Sequence, residues 1–315
     1  MNKLNNQNEE LETFVIVDAN AYVHSSFHGY SPCYDKKGQD QRVLHGMMNT
    51  MVDLSYYLPK IDYLYMIFDP SDGSLYRKSV FPAYKANRPP NDPDLTKQKD
   101  IAIKILRDHI GVPIVTYPGY EADDIIGSMA HSVKDNYNVV VVSPDKDLAQ
   151  LVQKNVKMMR RYRTKETRGY HFLDEEKVYQ SFGVYPNQIP DWLCLMGDVA
   201  DNLPGLHKVG EKTASNLLKK YLSLEHLLAI HHEMDDEKLK QKIKEAKDTL
   251  PVVKHLATVK CDLPLENRIQ EALENAHNIR ADKNYEKKLQ LLKEYFDFPP
   301  HFLEMFLPKK ESFKP

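Results

Sequence analysis

FVIVDAN, residues 14–20, is a run of four apolar residues closed by an aspartate. A short, unbroken apolar run predicts a strand buried on both faces, as in the middle of a parallel sheet. The pattern recurs outward along the chain. YLYMIFDP (63–70) ends on Asp69, and VVVVSPDKD (139–147) ends on Asp145 and Asp147. A further apolar run covers Val112 to Thr116, and helical spacing covers Leu44 to Leu58, Thr96 to His109 and Ala122 to Lys134. Strands alternating with helices predict an α/β fold with a mostly parallel central sheet and helices on both faces. In such sheets ligands bind beyond the carboxyl ends of the strands, where these aspartates fall.

Two more acidic segments join them: Glu121, Asp123 and Asp124 in GYEADDIIG (119–127), and Asp198 and Asp201 in MGDVADN (196–202). Taken singly, each is equally a helix cap or a first-turn acid complementing the helix dipole. Five such clusters, each at an element end, change the reading. Like charges brought to 4 Å repel by about 4 kcal/mol per pair at an effective dielectric near 20. A fold that gathers them needs cations, and hard oxygen ligands favour Mg²⁺ or Mn²⁺. Two or more such ions per chain would give the layout of a two-metal phosphoryl-transfer site.

The basic residues are concentrated too. Between Asp69 and Glu121 lie Arg77, Lys78, Lys85, Arg88, Lys97 and Lys99, interleaved with Tyr76, Phe81 and Tyr84. That mixture suits a channel for single-stranded nucleic acid better than a plain solvated surface. A second strip, 154–171, carries Lys154, Lys157, Arg160, Arg161, Arg163, Lys165 and Arg168; as a hairpin it would present one strongly positive face. DNLPGLHKVGEKTASNLLKKY (201–221) has the pattern of short helix, Gly-bearing turn and second helix, either an αα-hairpin or a helix–hairpin–helix whose turn aims N–H groups at phosphate. KLKQKIKEAKD (238–248) reads as a solvated helix face.

Composition is compatible with a nucleic-acid partner. The net charge is -2, and setting aside nine carboxylates leaves +7. Cys33, Cys194 and Cys261 are widely spaced and odd in number, which suggests reduced thiols rather than a disulfide framework or zinc site. The polar start, MNKLNNQNEELET, and the short apolar run after it predict neither signal sequence nor membrane span, so the expected location is cytoplasmic. The expected organisation is a disordered lead-in at 1–12, an α/β domain at 13–185 with a basic, aromatic-rich insertion at about 76–100, and a helical region at 186–315 with the Gly-bearing helical hairpin at about 203–221.

Together, FDP (68–70), YRKSVFPAYKANRPP (76–90), GYEADDIIG, SPDKDLAQLV (143–152), MGDVADNLPG (196–205) and VGEKTA (209–214) resemble the 5′-nuclease family: the 5′→3′ exonuclease domain of bacterial DNA polymerase I and the phage and eukaryotic flap endonucleases. The resemblance runs from about Phe14 to about Glu266. It implies a PIN-like fold with a helical arch, and a metal-dependent enzyme that cuts DNA at 5′ ends and single/double-strand junctions during primer removal and repair. By the same resemblance, Asp18, Asp69, Asp123, Glu121 and Asp124 would ligate one cation, and Asp145, Asp147, Asp198 and Asp201 the second. Lys85 and Arg88 would reach the scissile phosphate as catalytic residues.

DNA contacts would come from His24, Arg77, Lys78, Tyr84, Arg160, Arg161, Arg163, Lys208, Gly210, Lys212 and Thr213, with K⁺ as a possible ion at the helix–hairpin–helix. The chain departs from the family pattern at His24, where an aromatic is frequent, and in its Lys208-Val209-Gly210 turn, where the first residue is usually glycine. Expected partners are a flap, overhang, nicked duplex or RNA–DNA primer, bound by a monomer. A non-catalytic junction-binding protein on the same fold is the alternative, and metal-dependent cleavage separates the two.

Overall fold

The computed structural model describes residues 11–36, 38–71, 75–163, 168–285 and 287. The expectation of a disordered lead-in therefore falls largely outside the described residues, as does the chain beyond 287. Six strands, β1 (Thr13–Asp18), β2 (Tyr63–Ile67), β3 (Ile114–Val115), β4 (Asn138–Val142), β5 (Val156–Arg163) and β6 (Arg168–Leu173), form one sheet in the order β3-β2-β1-β4-β5-β6. All neighbours are parallel except the β5–β6 hairpin.

FVIVD is the central strand, and its alternation explains its unbroken apolarity. Phe14 and Ile16 enter one core, Val15 and Val17 the other. One face is covered by α1 (Ala19–Gly29) and α2 (Arg42–Tyr57), and by α4 (Pro93–Ile105), which follows the short α3 (Leu75–Val80). The other is covered by α5 (Ala122–Val133) and by part of a helical C-terminal half. That half contains α6 (Glu175–Phe182), α7 (Ile189–Met196), α8 (Glu211–Tyr221), α9 (Leu224–Ile230), α10 (Glu237–Ala246), α11 (Leu250–Ala257) and α12 (Glu266–Arg280). The chain leaves β1 toward β2 on one side, while β4 continues to β5 on the other. The divergence opens a crevice between the ends of β1 and β4, where α/β sheets hold their ligands.

Several expectations need adjustment. Val112–Thr116 yields a two-residue strand at the sheet edge. The helix expected from Thr96 begins earlier, because Asp92 caps it by accepting from Asp94 N and Pro93 fits its first turn. It ends in a π-turn, Leu106–Ile110, closed by Gly111 at φ 73°. The arch segment 76–100 is helical in α3 and the first half of α4, with turns between them at 82–87. Within 203–221 α8 is the helix; residues 203–210 are turn and loop, and the helix that precedes them is α7, before the aspartates.

The basic strip does form a hairpin, but a strand's period of two divides its charges. Met158 and Met159 enter opposite cores, which puts Arg160 on one face and Arg161 on the other. Among the described side chains the charge is therefore divided, with Arg160 facing away from Arg161. KLKQKIKEAKD is α10, with Ile243 as its buried residue.

Candidate active site

The strand-end carboxylates are held by the caps they form, so the capping and ligand readings describe the same residues. Asp18 ends β1 and caps α1, its Oδ1 accepting from Ala21 N at 3.2 Å, while Ser143 Oγ donates to its Oδ2 at 2.6 Å. Asp69 Oδ1 accepts from Ala122 N at 2.7 Å across the sheet, and Asn20 Nδ2 donates to its Oδ2. Asp145 caps the 3-10 turn Lys146–Leu151, accepting from Asp147 N at 3.0 Å. Asp198 Oδ1 accepts from Ala200 N at 2.7 Å and from Asp201 N at 3.1 Å. Backbone N–H groups thus fix each carboxylate in direction.

Burial and mutual repulsion mark this group as short of positive charge. Asp18 is pushed up to about 6, chiefly by burial, with Asp145 and Asp69 adding to it against the Ser143 hydrogen bond. Asp147 is pushed up to about 7 by burial and then by Asp145. Asp123, in the first turn of α5, is held well above the usual carboxylate range by burial, Asp145 and Asp18. Asp147 Oδ1 accepts no hydrogen bond from any described residue; the nearby Lys146 Nζ is 3.6 Å away.

Across the cleft the carboxylates have cations of the chain's own. Lys85 Nζ lies 2.5 Å from Glu121 Oε1 and 3.8 Å from Asp201 Oδ2. Arg88 Nη2 donates to Asp201 Oδ1 at 2.5 Å and its Nε to Ala200 O at 3.0 Å. Burial opposes the charge on Glu121, but Lys85 and Arg77 outweigh it and hold the carboxyl below its ordinary value.

The backbone reinforces this contact. Lys85 N donates to Asp201 O at 3.0 Å, Asn87 Nδ2 to Val199 O at 2.6 Å and Asn202 Nδ2 to Ala83 O at 2.7 Å. Lys85 itself sits at φ 54°, a left-handed conformation that costs a non-glycine residue about 1–2 kcal/mol. The 198–204 loop carrying the two aspartates is pinched at its base. A Cβ on Gly197, at φ 74°, would come within 2.4 Å of Gly205 N, and one on Gly205 within 2.2 Å of Gly197 N.

The structure therefore brings five of the nine expected ligands to one cleft and sets three more beside them. Glu121, Asp123, Asp147, Asp198 and Asp201 line it, and Asp18, Asp69 and Asp145 are electrostatically coupled to the same cluster. Asp124 is the exception. It is fully buried, and both its oxygens are taken by the Arg77 guanidinium, with Oδ1 also accepting from Lys260 N at 3.0 Å. Arg77 is correspondingly buried, with its guanidinium committed to Asp124.

Tyr84 is buried too: it is 2% exposed, and its hydroxyl shares its one proton between Glu121 Oε2 at 2.9 Å and Asp201 Oδ2 at 2.8 Å. His24 and Lys78 are exposed, as are Lys208, Gly210, Lys212 and Thr213 around the start of α8. Lys208 adopts the positive φ its turn requires, at 59°. Arg160 Nε donates to Pro144 O at 3.0 Å, beside Asp145, and Arg161 is half-buried. Arg163 ends β5 opposite Arg168.

Sequence reasoning missed Ser143, Asn20 and the Gly197–Gly205 contact. Ser143 had a signal in its position beside the Pro144-Asp145 strand end.

As arranged, the carboxylates line the cleft without closing into a cage: among the described residues no three His, Cys, Asp or Glu side chains stand ready to hold a metal ion. The donor set still fits hard divalent cations, being all oxygen, with Asp18 and Glu121 buried and the proton affinity of Asp18, Asp123 and Asp147 raised by burial and then by neighbouring carboxylates. Fold and site together define an α/β enzyme with strand-end carboxylates and a cationic rim suited to phosphate esters.

Residues 13–183 match the 5′-3′ exonuclease N-terminal resolvase-like domain, and residues 184–287 match the 5′-3′ exonuclease C-terminal SAM fold. The chain belongs to the 5′-3′ exonuclease family. The 5′-3′ exonuclease of Aquifex aeolicus is 36% identical over 219 residues, 69% of this chain and 73% of that protein. DNA polymerase I of Caldicellulosiruptor bescii is 34% identical over 283 residues, which are 88% of this chain but 32% of the polymerase, so the chain spans about a third of that relative. In fold, the T5 5′-exonuclease with bound zinc superposes with a TM-score of 0.65 at 18% identity, over 89% of this chain and 99% of that one. The catalytic core of Rad2 in complex with DNA substrate gives 0.54 at 15% identity, over 91% and 93%. Among the described residues no helix is long and apolar enough to cross a membrane.

Proposed function

We propose that the protein is a divalent-metal-dependent, structure-specific 5′ nuclease that hydrolyses DNA phosphodiesters from 5′ ends and at single/double-strand junctions, as primer removal and repair require. The observation that carries this reading is the cleft itself. Carboxylates from the ends of β1, β2 and β4 and the first turn of α5 face a rim on which Lys85 and Arg88 are held by Glu121 and Asp201. The zinc and DNA named with the T5 and Rad2 structures accord with it.

Asp18, Asp69, Glu121 and Asp123 would hold one Mg²⁺ or Mn²⁺, and Asp145, Asp147, Asp198 and Asp201 the other. When bound, such ions make water a nucleophile near neutral pH and stabilise the leaving oxygen. The chain's own contribution is to direct the carboxylates through backbone N–H groups and to offer Lys85 and Arg88 to the phosphoryl oxygens once they part from Glu121 and Asp201. His24 and Lys78 are exposed and would meet the 5′ strand, and Lys208, Gly210, Lys212 and Thr213 would hold duplex phosphates, with K⁺ as an ion at that turn. A cytoplasmic location fits three free thiols, and the protein would act as a monomer.

Incubation with a 5′-labelled flap duplex tests the reading. Short labelled products near the junction are expected with Mg²⁺ and none with chelator; an intact flap under both conditions would refute it.

A further inference from the structure

Arg77 joins three parts of the chain that are far apart in sequence. Its Nε donates to Leu256 O at 2.9 Å, at the end of α11. Its Nη2 donates to Asp124 Oδ1 at 2.8 Å and its Nη1 to Asp124 Oδ2, in the first turn of α5. Nη1 also lies 3.4 Å from Glu121 Oε2. The residue belongs to α3, at the base of the segment that carries Lys85 and Arg88.

Beyond Leu256 the chain runs as an extended strap laid on the elements that carry the site. Gln150, in the 3-10 turn that bears Asp147, donates to Ala257 O at 3.1 Å and accepts from Val259 N at 2.9 Å. Ser128 of α5 donates to Lys260 O at 3.2 Å and accepts from Leu263 N at 3.1 Å. The approach is close enough to require Gly127, since a Cβ there would meet Val259 Cγ1 at 2.4 Å and Lys260 O at 2.7 Å. Asp124 closes the circuit through Lys260 N.

We propose that Arg77 and Asp124 form a positioning pair that sets the base of the arch, the first turn of α5 and the C-terminal strap in one frame, and that Asp124 is not a cation ligand. The inference rests on the nuclease reading above and deepens it. A bidentate guanidinium–carboxylate contact fixes orientation as well as distance, and a buried ion pair is by itself weak evidence for stability. What this pair secures is where Glu121 stands relative to Lys85, on one side, and to Asp123 on the next residue but one.

The test combines three measurements on Arg77→Met, Asp124→Leu, the double variant and Arg77→Lys. These are the single-turnover flap cleavage rate at saturating enzyme, flap affinity without Mg²⁺, and calorimetric binding of Mg²⁺ to the DNA-free protein. A positioning role predicts rates lowered about 10–100-fold in both single variants, the size seen when groups supporting metal ligands are removed. It also predicts flap affinity within a few-fold of the parent and the same Mg²⁺ isotherm for Asp124→Leu as for Arg77→Met, since either change breaks the same positioning contact. The double variant replaces an ion pair by apolar groups, so it should fold even where a single variant does not, and it should remain slow.

Arg77→Lys keeps the charge without the fork and should fold and lose several-fold in rate. Parental rate in the double variant or in Arg77→Lys would overturn the proposal by showing that packing or charge alone suffices. Loss of Mg²⁺ binding in Asp124→Leu that Arg77→Met does not share would overturn it by making Asp124 a ligand. A parent that leaves the flap intact overturns the nuclease reading and this one together, whereas an active parent with active variants overturns this one alone.

Discussion

The two sides of the cleft solve the problem of crowded carboxylates in opposite ways. On the sheet side, Asp18, Asp123 and Asp147 are directed by hydrogen bonds or helix position and lack a strong cationic partner, so burial and repulsion raise their proton affinity. On the arch side, Glu121 and Asp201 are answered by Lys85, Arg88 and the Tyr84 hydroxyl, and Glu121 is held ionised. The first side needs charge from outside the chain. The second already has it, borrowed from the residues expected to meet the phosphate. On the proposed reading, ion loading on one side and release of the arch on the other would be separable events, and they can be broken separately.

The largest effect is expected on the sheet side. Asp123→Asn should reduce single-turnover cleavage by more than about 10³-fold, since it would remove several kcal/mol of charge stabilisation, while duplex affinity changes little. Near-parental turnover would take Asp123 out of the site. On the arch side, Lys85→Ala should cost about 10²–10³-fold in the same rate, the usual effect of removing one preorganised charge contact. It should also release Glu121 and loosen the strained turn at Lys85. If affinity collapsed with the saturated rate unchanged, Lys85 would be a docking residue and the contrast between the two sides would fail.

The sheet side was the more legible in sequence, and the reason is physical. A buried parallel strand has to be continuously apolar, so FVIVD, YLYMIFD and VVVVSPD declare both their burial and the carboxyl end where the acids fall. The arch side depends on contacts between residues over a hundred positions apart, such as Lys85 with Asp201, and no local pattern encodes them. The same limit hid the fate of Arg77, Asp124 and Tyr84. Their residue types suit DNA or metal, and they are instead spent on one another and on Glu121 and Asp201. Arg160 and Arg161 failed as a single face for a simpler reason: adjacent residues on a strand point apart.

That division gives a smaller, graded prediction. Neutralising Arg160, Arg161 and Arg163 together should make the slope of log affinity against log salt shallower by about 1–2 units rather than by nearly three, because the strand's two faces cannot all meet one DNA backbone. The cleavage rate at saturating enzyme should hardly change, which would set this strip apart from both sides of the cleft. Identical slopes for variant and parent would remove the strip from the DNA path altogether.

The smallest effect concerns stability, and its sign follows from the sheet side. Asp18 and Asp147 have folded values of about 6 and about 7 against an ordinary 3.8. A carboxyl raised on folding binds more protons in the native state, so its favourable contribution is complete below about 4 and is lost as pH rises through 6 to 7. In chelator, these groups should therefore make the protein less stable at pH 8 than at pH 5.5. His24 and His171, whose proton affinity is lowered chiefly by burial, pull the other way over the same range. The decisive quantities are thus differences. Mg²⁺ should raise Tm more at pH 8 than at pH 5.5, because at the higher pH it meets carboxylates already deprotonated and repelling. Asp147→Asn should raise Tm in chelator at pH 8, and each kcal/mol of relieved repulsion is worth on the order of 2–4 °C in a domain of 150–250 residues. The same substitution should shrink the Mg²⁺-induced rise. Thermal melts of parent and variant at the two pH values, with Mg²⁺ and with chelator, decide the matter. A variant no more stable than its parent in chelator would mean that the sheet side carries no stored repulsion, and the contrast with the self-neutralised arch side would then be one of geometry alone.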